Sequence, residues 1–330
     1  MAAKVLVVGG AGYIGSICAA VMQQGAGIEV ETYDDLSTGH AEAVSGPLHR
    51  GDIRDIDRLT QVLGDGGFDA VMHFAAKSLV GESVAHPLRY FDVNVGGTTT
   101  LLQAMAATGV KNLVFSGTCA VYGNPEYLPL DEKHPKAPVS PYGLSKLMVE
   151  EILAGCRDKE GFNITSLRYF NAAGCMPDGS LGESHQTETH LIPLAIAAAL
   201  GRRPPLSLFG TDYETRDGTC IRDYIHVLDL ADAHLKALER LLEGERGNAY
   251  NVGTGVGTTV REVLSSIERC LGTPVPHDVA ERRDGDPPAL FARADLIQSE
   301  LGWTPKYTDI DDIVRTALTW AKSPRFGIST

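Results

Sequence analysis

Lys4-Val5-Leu6-Val7-Val8-Gly9-Gly10-Ala11-Gly12-Tyr13-Ile14-Gly15-Ser16 is the stretch on which the fold turns. Val5–Val8 is a run of four branched apolar residues, as suits a strand buried on both faces. Gly9, Gly12 and Gly15 then fall three apart, leading into an apolar pattern over Ile14–Gln24 that predicts a helix. Glycines here permit a tight strand-to-helix turn and let a pyrophosphate approach the free N–H groups at the helix start. An ordinary glycine-rich turn would use the same residues. Its place between an apolar strand and an apolar helix favours nucleotide binding. Gly9, Gly12, Tyr13, Ile14 and Gly15 are therefore candidate cofactor residues.

Outward from this turn, short apolar runs alternate with helical patterns. Strands are expected at Ile28–Tyr33, Leu48–Arg50, Ala70–Phe74, Asn112–Ser116 and Asn163–Arg168, and helices at Ile56–Leu63, Leu88–Ala107 and Tyr142–Ala154. This rhythm predicts an α/β fold, a Rossmann-type doubly wound parallel sheet covered on both faces. After about Phe170 the rhythm breaks and Gly, Pro and charged residues become frequent. Isolated helices remain at Leu191–Leu200, Leu228–Leu242 and Val260–Leu271. The expected organisation is a cofactor-binding domain over 1–170 and a smaller, irregular substrate domain over 171–330, with two segments of the latter returning to the sheet.

The second strand runs into Tyr33-Asp34-Asp35, near the ~20-residue offset at which a carboxylate meets the adenosine ribose. A carboxylate there accepts from the ribose hydroxyls and repels a 2′-phosphate, so Asp34 predicts NAD rather than NADP. Asp35 opens the loop Leu36-Ser37-Thr38-Gly39, and Gly51-Asp52-Ile53 follows the third strand, where Asp52 either reaches the adenine amino group or belongs to an ordinary surface turn.

Composition limits the alternatives. The formal charge of −13 argues against nucleic acid or an anionic membrane as partner. The six cysteines are scattered without C-x-x-C or clustered histidines, so neither a zinc site nor a disulfide framework is suggested. The N-terminus reads as a first strand rather than a signal peptide, and the apolar run near Leu191–Leu200 is too short to span a bilayer, so a cytoplasmic protein is expected.

Tyr142 and Lys146, in Ser-Pro-Tyr-Gly-Leu-Ser-Lys, lie one helical turn apart on one face. An ammonium beside a phenol favours the phenolate, which can take a proton from a hydroxyl and return it. Thr118 ends the fifth strand, on the sheet edge where open α/β folds bind ligands. Thr118, Tyr142 and Lys146 together match the hydroxyl-Tyr-Lys triad of the short-chain dehydrogenase/reductases, whose glycine spacing the first turn also resembles.

GGAGYIGS, HFAAKSLVGES, SPYGLSKLMVE, LRYFNAAG and DGTCIRDYIHVLDLADAH, in unbroken order, closely resemble the UDP-glucose 4-epimerases, an extended family of that superfamily. The resemblance runs from about Lys4 to Asp286. It implies that Tyr142 exchanges a proton with the sugar 4-hydroxyl while the C4 hydride passes to NAD and returns to the other face of a 4-keto sugar. Lys146 would keep the tyrosine acidic and hold the nicotinamide ribose, and Thr118 would bind the 4-oxygen. By the same resemblance Phe74, Ala75, Ala76, Lys77 and Ser78 lie along the cofactor and Phe170 near the nicotinamide. Asn171, His190, Leu191, Ser207, Phe209, Arg222, Arg283 and Asp286 would hold the UDP moiety. Two arginines suit a diphosphate, to which each can donate several hydrogen bonds. Pairing of helices Leu88–Ala107 and Tyr142–Ala154 with a second copy would give a homodimer.

Several positions depart from the family pattern. Ile17 stands where a histidine is usual, Thr118 replaces the serine of many members, and Lys77 comes one place earlier than the usual lysine. Leu290 is smaller than the tyrosine of some members, which leaves room for an N-acetyl group on the sugar. A dehydratase would carry an Asp-Glu pair after Thr118, where this chain has Cys119 and Ala120. A 4-epimerase of a UDP-pentose or UDP-uronate is the nearer rival. A non-catalytic NAD sensor on the same fold is the more distant one, since such proteins usually lose the Tyr or Lys.

Overall fold

In the computed structural model, which describes residues 2–283 and 285–327, strand β1 (Lys4–Val8) lies inside a seven-stranded sheet. Its companions are β2 (Glu29–Asp34), β3 (Leu48–Arg50), β4 (Ala70–His73), β5 (Asn112–Thr118), β6 (Asn163–Tyr169) and a strand from the second half, Ala249–Val252. The order is Ala249–Val252, β6, β5, β4, β1, β2, β3, and every neighbouring pair is parallel. The order reverses between β1 and β4, which opens a crevice beyond the carboxyl ends of those two strands.

Strand side chains alternate between faces, and both faces are apolar. Leu6, Val8, Val71, Leu113 and Phe115 pack under the helices Ile56–Gly66, Gly97–Thr108 and Pro141–Glu160. Val5, Val7, Met72, Val114 and Leu167 face the helices Tyr13–Gly25 and Val227–Leu242, which contribute Ala19, Met22, Leu230 and Leu238. So one helix and one strand of the second half are built onto the sheet. The expected helix over Leu88–Ala107 is interrupted: Phe91–Gly96 is a π-helical segment between Pro87–Tyr90 and Gly97–Thr108. A wider turn there displaces Asn94 into the interior, where it is buried.

Beyond β6 the chain forms a four-stranded sheet centred on Ile221–His226, flanked by Asn171–Ala173, Gly257–Thr259 and Ala289–Leu290. Leu206–Phe209 pairs separately with His277–Ala280. Helices Leu191–Ala199, Val260–Leu271 and Ile310–Lys322 enclose a core of Ile192, Ile196, Val263, Ile267 and Val314. Among the described residues, no helix is long and apolar enough to cross a membrane.

Candidate active site

Gly9 takes φ +85°, and a Cβ there would collide with the backbone of Phe74 and Ala75. A Cβ on Gly15 would meet the Gly9 carbonyl. These glycines let β1, the first helix and the end of β4 converge closely. Gly12 caps the helix Tyr13–Gly25 without a side-chain hydrogen bond, so no side chain competes for the N–H groups of its first turn. The Ser37–Gly39 loop closes one side, with a Gly39 Cβ position 2.7 Å from Ala11 and His40 N donating to Ala11 O at 2.9 Å. This shape fits a pyrophosphate held by backbone, which is the test that the candidate NAD site must pass.

Asp34 is buried and accepts from Ala11 N (3.0 Å) and Leu36 N (2.8 Å), so it pins the turn while burial pushes its carboxyl up. Asp35 is turned outward and accepts from Ser37 N. Asp52 is gripped by Arg54, which holds its carboxyl below the usual range, and Ile53 is buried against Gly97. Ile14 packs against the core and Ile17 is fully buried in it. Phe74 meets the His234 ring in a tilted contact with centroids 4.8 Å apart, Ala76 and Lys77 are half-buried, and Ser78 is exposed.

Ser140 caps the helix Pro141–Glu160 by accepting from Gly143 N (3.1 Å), a contact worth about 1 kcal/mol, and Pro141 suits the first helical position. Gly143 presses on the turn after β5, with a Cβ position only 2.6 Å from Ala120 O. That close approach sets Tyr142 beside Thr118. Burial pushes the Tyr142 phenol up to about 12, and the Thr118 hydroxyl opposes the rise. Lys146 is buried, donates to Ser116 O at 2.9 Å and lies 4.8 Å above the Phe115 ring. Burial lowers its ammonium to about 7, with Glu150 opposing. The sequence reading had Lys146 holding the phenol acidic. Here desolvation dominates both groups, and the ammonium's hydrogen bond goes to a carbonyl.

The second half brings four expected residues together. Arg222 donates to Ile221 O (2.8 Å), Pro287 O (3.0 Å) and Asp286 Oδ1 (3.3 Å), and the Arg283 guanidinium lies 4.0 Å above the Phe209 ring. Leu290 pairs in register with Arg222 and packs near Phe170. Ser207 is exposed, two residues before Phe209 in the same strand, and Asn171 pairs with Tyr224. Burial raises the Cys119 thiol to about 12 while Arg222 opposes, which puts this arginine near the turn that follows Thr118.

A nucleotide crevice, a hydroxyl-Tyr-Lys group at its rim and an arginine cluster beyond it now stand in one molecule. Residues 5–253 match the NAD dependent epimerase/dehydratase family. The chain belongs to this family. A member from Rhizobium leguminosarum bv. trifolii, a UDP-glucose 4-epimerase, is 52% identical over 322 residues, 97% of this chain and 98% of that protein. The crystal structure of UDP-glucose 4-epimerase from Brucella ovis in complex with NAD is similar at a TM-score of 0.94 and 50% identity, over 96% of this chain and 98% of that one. The UDP-Glc/GlcNAc 4-epimerase from Campylobacter jejuni is similar at 0.84 and 39%, over 97% and 99%.

Two features of this family member escaped the sequence reading. Asn94 accepts from Lys77 N (2.8 Å) and donates to Lys77 O and Ser145 Oγ (both 3.0 Å). It ties the segment beside the glycine turn to the helix that carries Tyr142 and Lys146. A polar residue amid Val93 and Val95 was the available signal. The chain also does cluster histidines. His185 and His190 converge with Glu183 and Glu188, and their ligating atoms lie within 4.8 Å of one another. His190 and Leu191 begin a helix, but the ring of His190 is engaged by these glutamates rather than by Arg222 or Asp286.

Proposed function

We propose that this protein is an NAD-dependent UDP-sugar 4-epimerase that interconverts UDP-galactose and UDP-glucose. The observation that carries the reading is Tyr142 set beside Thr118 at the carboxyl end of β5, next to a backbone cradle shaped for a dinucleotide pyrophosphate. NAD, when bound, supplies the acceptor for the sugar's C4 hydride and gives it back, so no net oxidation results. Gly9, Gly12 and Gly15 admit the pyrophosphate, and Asp34 orients the ribose end. Tyr142 Oη takes the 4-hydroxyl proton and later returns it, with Thr118 Oγ1 donating to the same oxygen. A phenol near 12 is a poor base at neutral pH, so ionisation must be favoured by cationic charge brought close in the complex. Lys146 is one such charge. Its own lowered value lets an adjacent anion draw it back to the ammonium form.

Arg222 and Arg283 grip the diphosphate and Asp286 accepts from ribose hydroxyls. Leu290 leaves room beside the sugar, which favours acceptance of UDP-GalNAc and UDP-GlcNAc as well; the relative from Campylobacter jejuni is a UDP-Glc/GlcNAc 4-epimerase. The helices Val80–Ala85 and Pro141–Glu160 expose Val84, Leu144 and Met148, with Leu88 at 80% exposure between them. We assign this apolar face to a second copy of the chain, and a monomeric sedimentation coefficient at micromolar concentration would refute that.

The test of function incubates purified protein, without added NAD, with UDP-galactose, UDP-GalNAc, UDP-xylose and UDP-glucuronate. Turnover of the first two is expected; turnover of only the pentose or uronate would transfer the reading to that sugar. Tyr142→Phe should lower kcat about 1,000-fold with NAD content unchanged. Full activity in that variant sinks the mechanism.

A further inference from the structure

The loop of residues 36–39, which closes one side of the glycine turn, is bent into an unfavourable shape. Leu36 takes φ +62°, in the left-handed region, where a bulky L side chain crowds its own backbone. Ser37 and Thr38 are exposed, so burial of their side chains does not hold the loop down. Leu36 N and Ser37 N donate to Asp34 Oδ1 and Asp35 Oδ1, both at 2.8 Å, but these bonds stay within the base of the loop. Its far end is fastened to the turn by His40, whose N donates to Ala11 O at 2.9 Å.

The side chain of His40 is held in turn by segments far along the chain. Its Nε2 lies 3.2 Å from Ser184 O, and its ring meets that of Phe326 with centroids 5.1 Å apart and planes tilted by 41°. Phe326 follows the helix Ile310–Lys322 and folds back onto the ring of Trp320, with centroids 4.9 Å apart. Trp320 is itself anchored: it is buried, its Nε1 donates to Glu183 O at 2.7 Å, and a Cβ on Gly182 would collide with its ring. On either side of Phe326 the chain lies along the same stretch. Arg325 Nη2 donates to Asp178 O at 3.2 Å, and a Cβ on Gly327 would collide with Ser184 Oγ. Phe326 also packs on the cluster that holds Ile17, Cys18 and Ala43. His40 thus sits between the cofactor loop and a wedge made by residues 178–184 and 320–327.

We propose that Phe326 is a positioning residue for cofactor retention, which packs against His40 and so keeps the loop of residues 36–39 closed on the glycine turn. The inference rests on the reading that this turn holds NAD. The cofactor then leaves when the loop opens, and its release rate follows how often His40 parts from Ala11. An aromatic contact at this spacing stabilises the closed loop beyond the area it buries. Because the contact is made only in the closed loop, losing it speeds release and leaves entry of the cofactor nearly unchanged. Were Phe326 only a plug at the end of the helix Ile310–Lys322, its removal would lower the melting temperature and leave the loop as it is.

The test uses the NAD-loaded protein and its Phe326→Ala, Phe326→Leu and His40→Ala variants, together with the double variant Phe326→Ala, His40→Ala. Exchange of bound NAD for added isotopically labelled NAD gives the release rate. Amide hydrogen exchange reads the opening of residues 36–40, and equilibrium titration gives the UDP Kd. We expect Phe326→Ala to speed both NAD release and exchange of the His40 amide about tenfold, with the UDP Kd unchanged. Phe326→Leu should restore part of the retention. The double variant should release NAD no faster than His40→Ala alone, because the two substitutions remove one shared contact. The proposal is overturned if Phe326→Ala lowers stability but releases NAD at the unaltered rate. It is also overturned if the two single effects multiply in the double variant, or if UDP affinity falls as far as NAD retention. Should Phe326→Ala fail to fold, Phe326→Leu with and without His40→Ala decides the same question. Failure of the functional reading would look different: the unaltered protein itself would carry no NAD.

Discussion

At the glycine turn the protein removes side chains, whereas around Ile221–His226 it lets side chains hold one another. Gly9, Gly15 and Gly39 bring backbone against backbone at distances that no Cβ would allow. Arg222 instead donates to two carbonyls and to Asp286, and Arg283 lies on Phe209. The first arrangement is rigid before any ligand arrives, since it is made by the sheet itself. In the second, groups that await a ligand satisfy one another, and binding must exchange those contacts. Preorganisation is therefore unequal across the crevice, and tight retention belongs on the side that needs no rearrangement.

Gly9→Ala attacks the stronger side and should have the largest effect. A side chain at φ +85° facing the Ala75 backbone forces the turn apart, and we expect purified protein without NAD and with a melting temperature several degrees lower. A variant that keeps full NAD would mean that the turn is not the cofactor's seat. Arg222→Met attacks the exchangeable side. It should weaken UDP binding about 100-fold and leave NAD content untouched, because it removes the proposed diphosphate donor and leaves Asp286 unpaired. Loss of both nucleotides together would erase the distinction between the two sides.

Lys146→Met probes the seam: it should change nucleotide content least, and it acts in the opposite direction on stability. Folding lowers the Lys146 ammonium from 10.5 to about 7 by burial. The unfolded chain thus binds more protons between those values, and stability falls as pH drops from 10.5 to 7, then levels. Removing the charge should stabilise the ligand-free protein most below pH 7 and not at all above 10.5, while turnover is lost. Thermal melts at pH 6, 8 and 10.5 check it, and a gain independent of pH would point to packing instead.

The same contrast explains what could be read from residues alone. β1, β3 and the helix Val260–Leu271 fall at their expected limits, because each is set by a local apolar run and a local turn or cap. The tight turn built by Gly9, Gly12 and Gly15 was legible for the same reason. The π-helical turn at Phe91–Gly96 was not, since what selects it is burial of Asn94 against Lys77 and Ser145, from distant parts of the chain. Nor was the ring of Glu183, His185, Glu188 and His190. Its spacing is plain, but irregular backbone carries no period that would predict convergence. Lys146 stood out by its four-residue offset from Tyr142, whereas its hydrogen bond to Ser116 O and its depth of burial depend on packing that the offset does not encode.

The strand Ala249–Val252 gives the sheet a boundary that the first 170 residues do not possess. Tyr250 pairs with Leu167 and Asn251 with Arg168, so the flank of β6 is finished only when the chain has been made as far as Val252. Until then β6 presents a bare row of N–H and C=O groups, the kind of template on which chains aggregate. During synthesis the sheet begun by residues 1–170 therefore gains its last strand only when Ala249–Val252 arrives. The two halves share one sheet, and recombination that exchanged residues 171–330 as a cassette would have to bring its own closing strand.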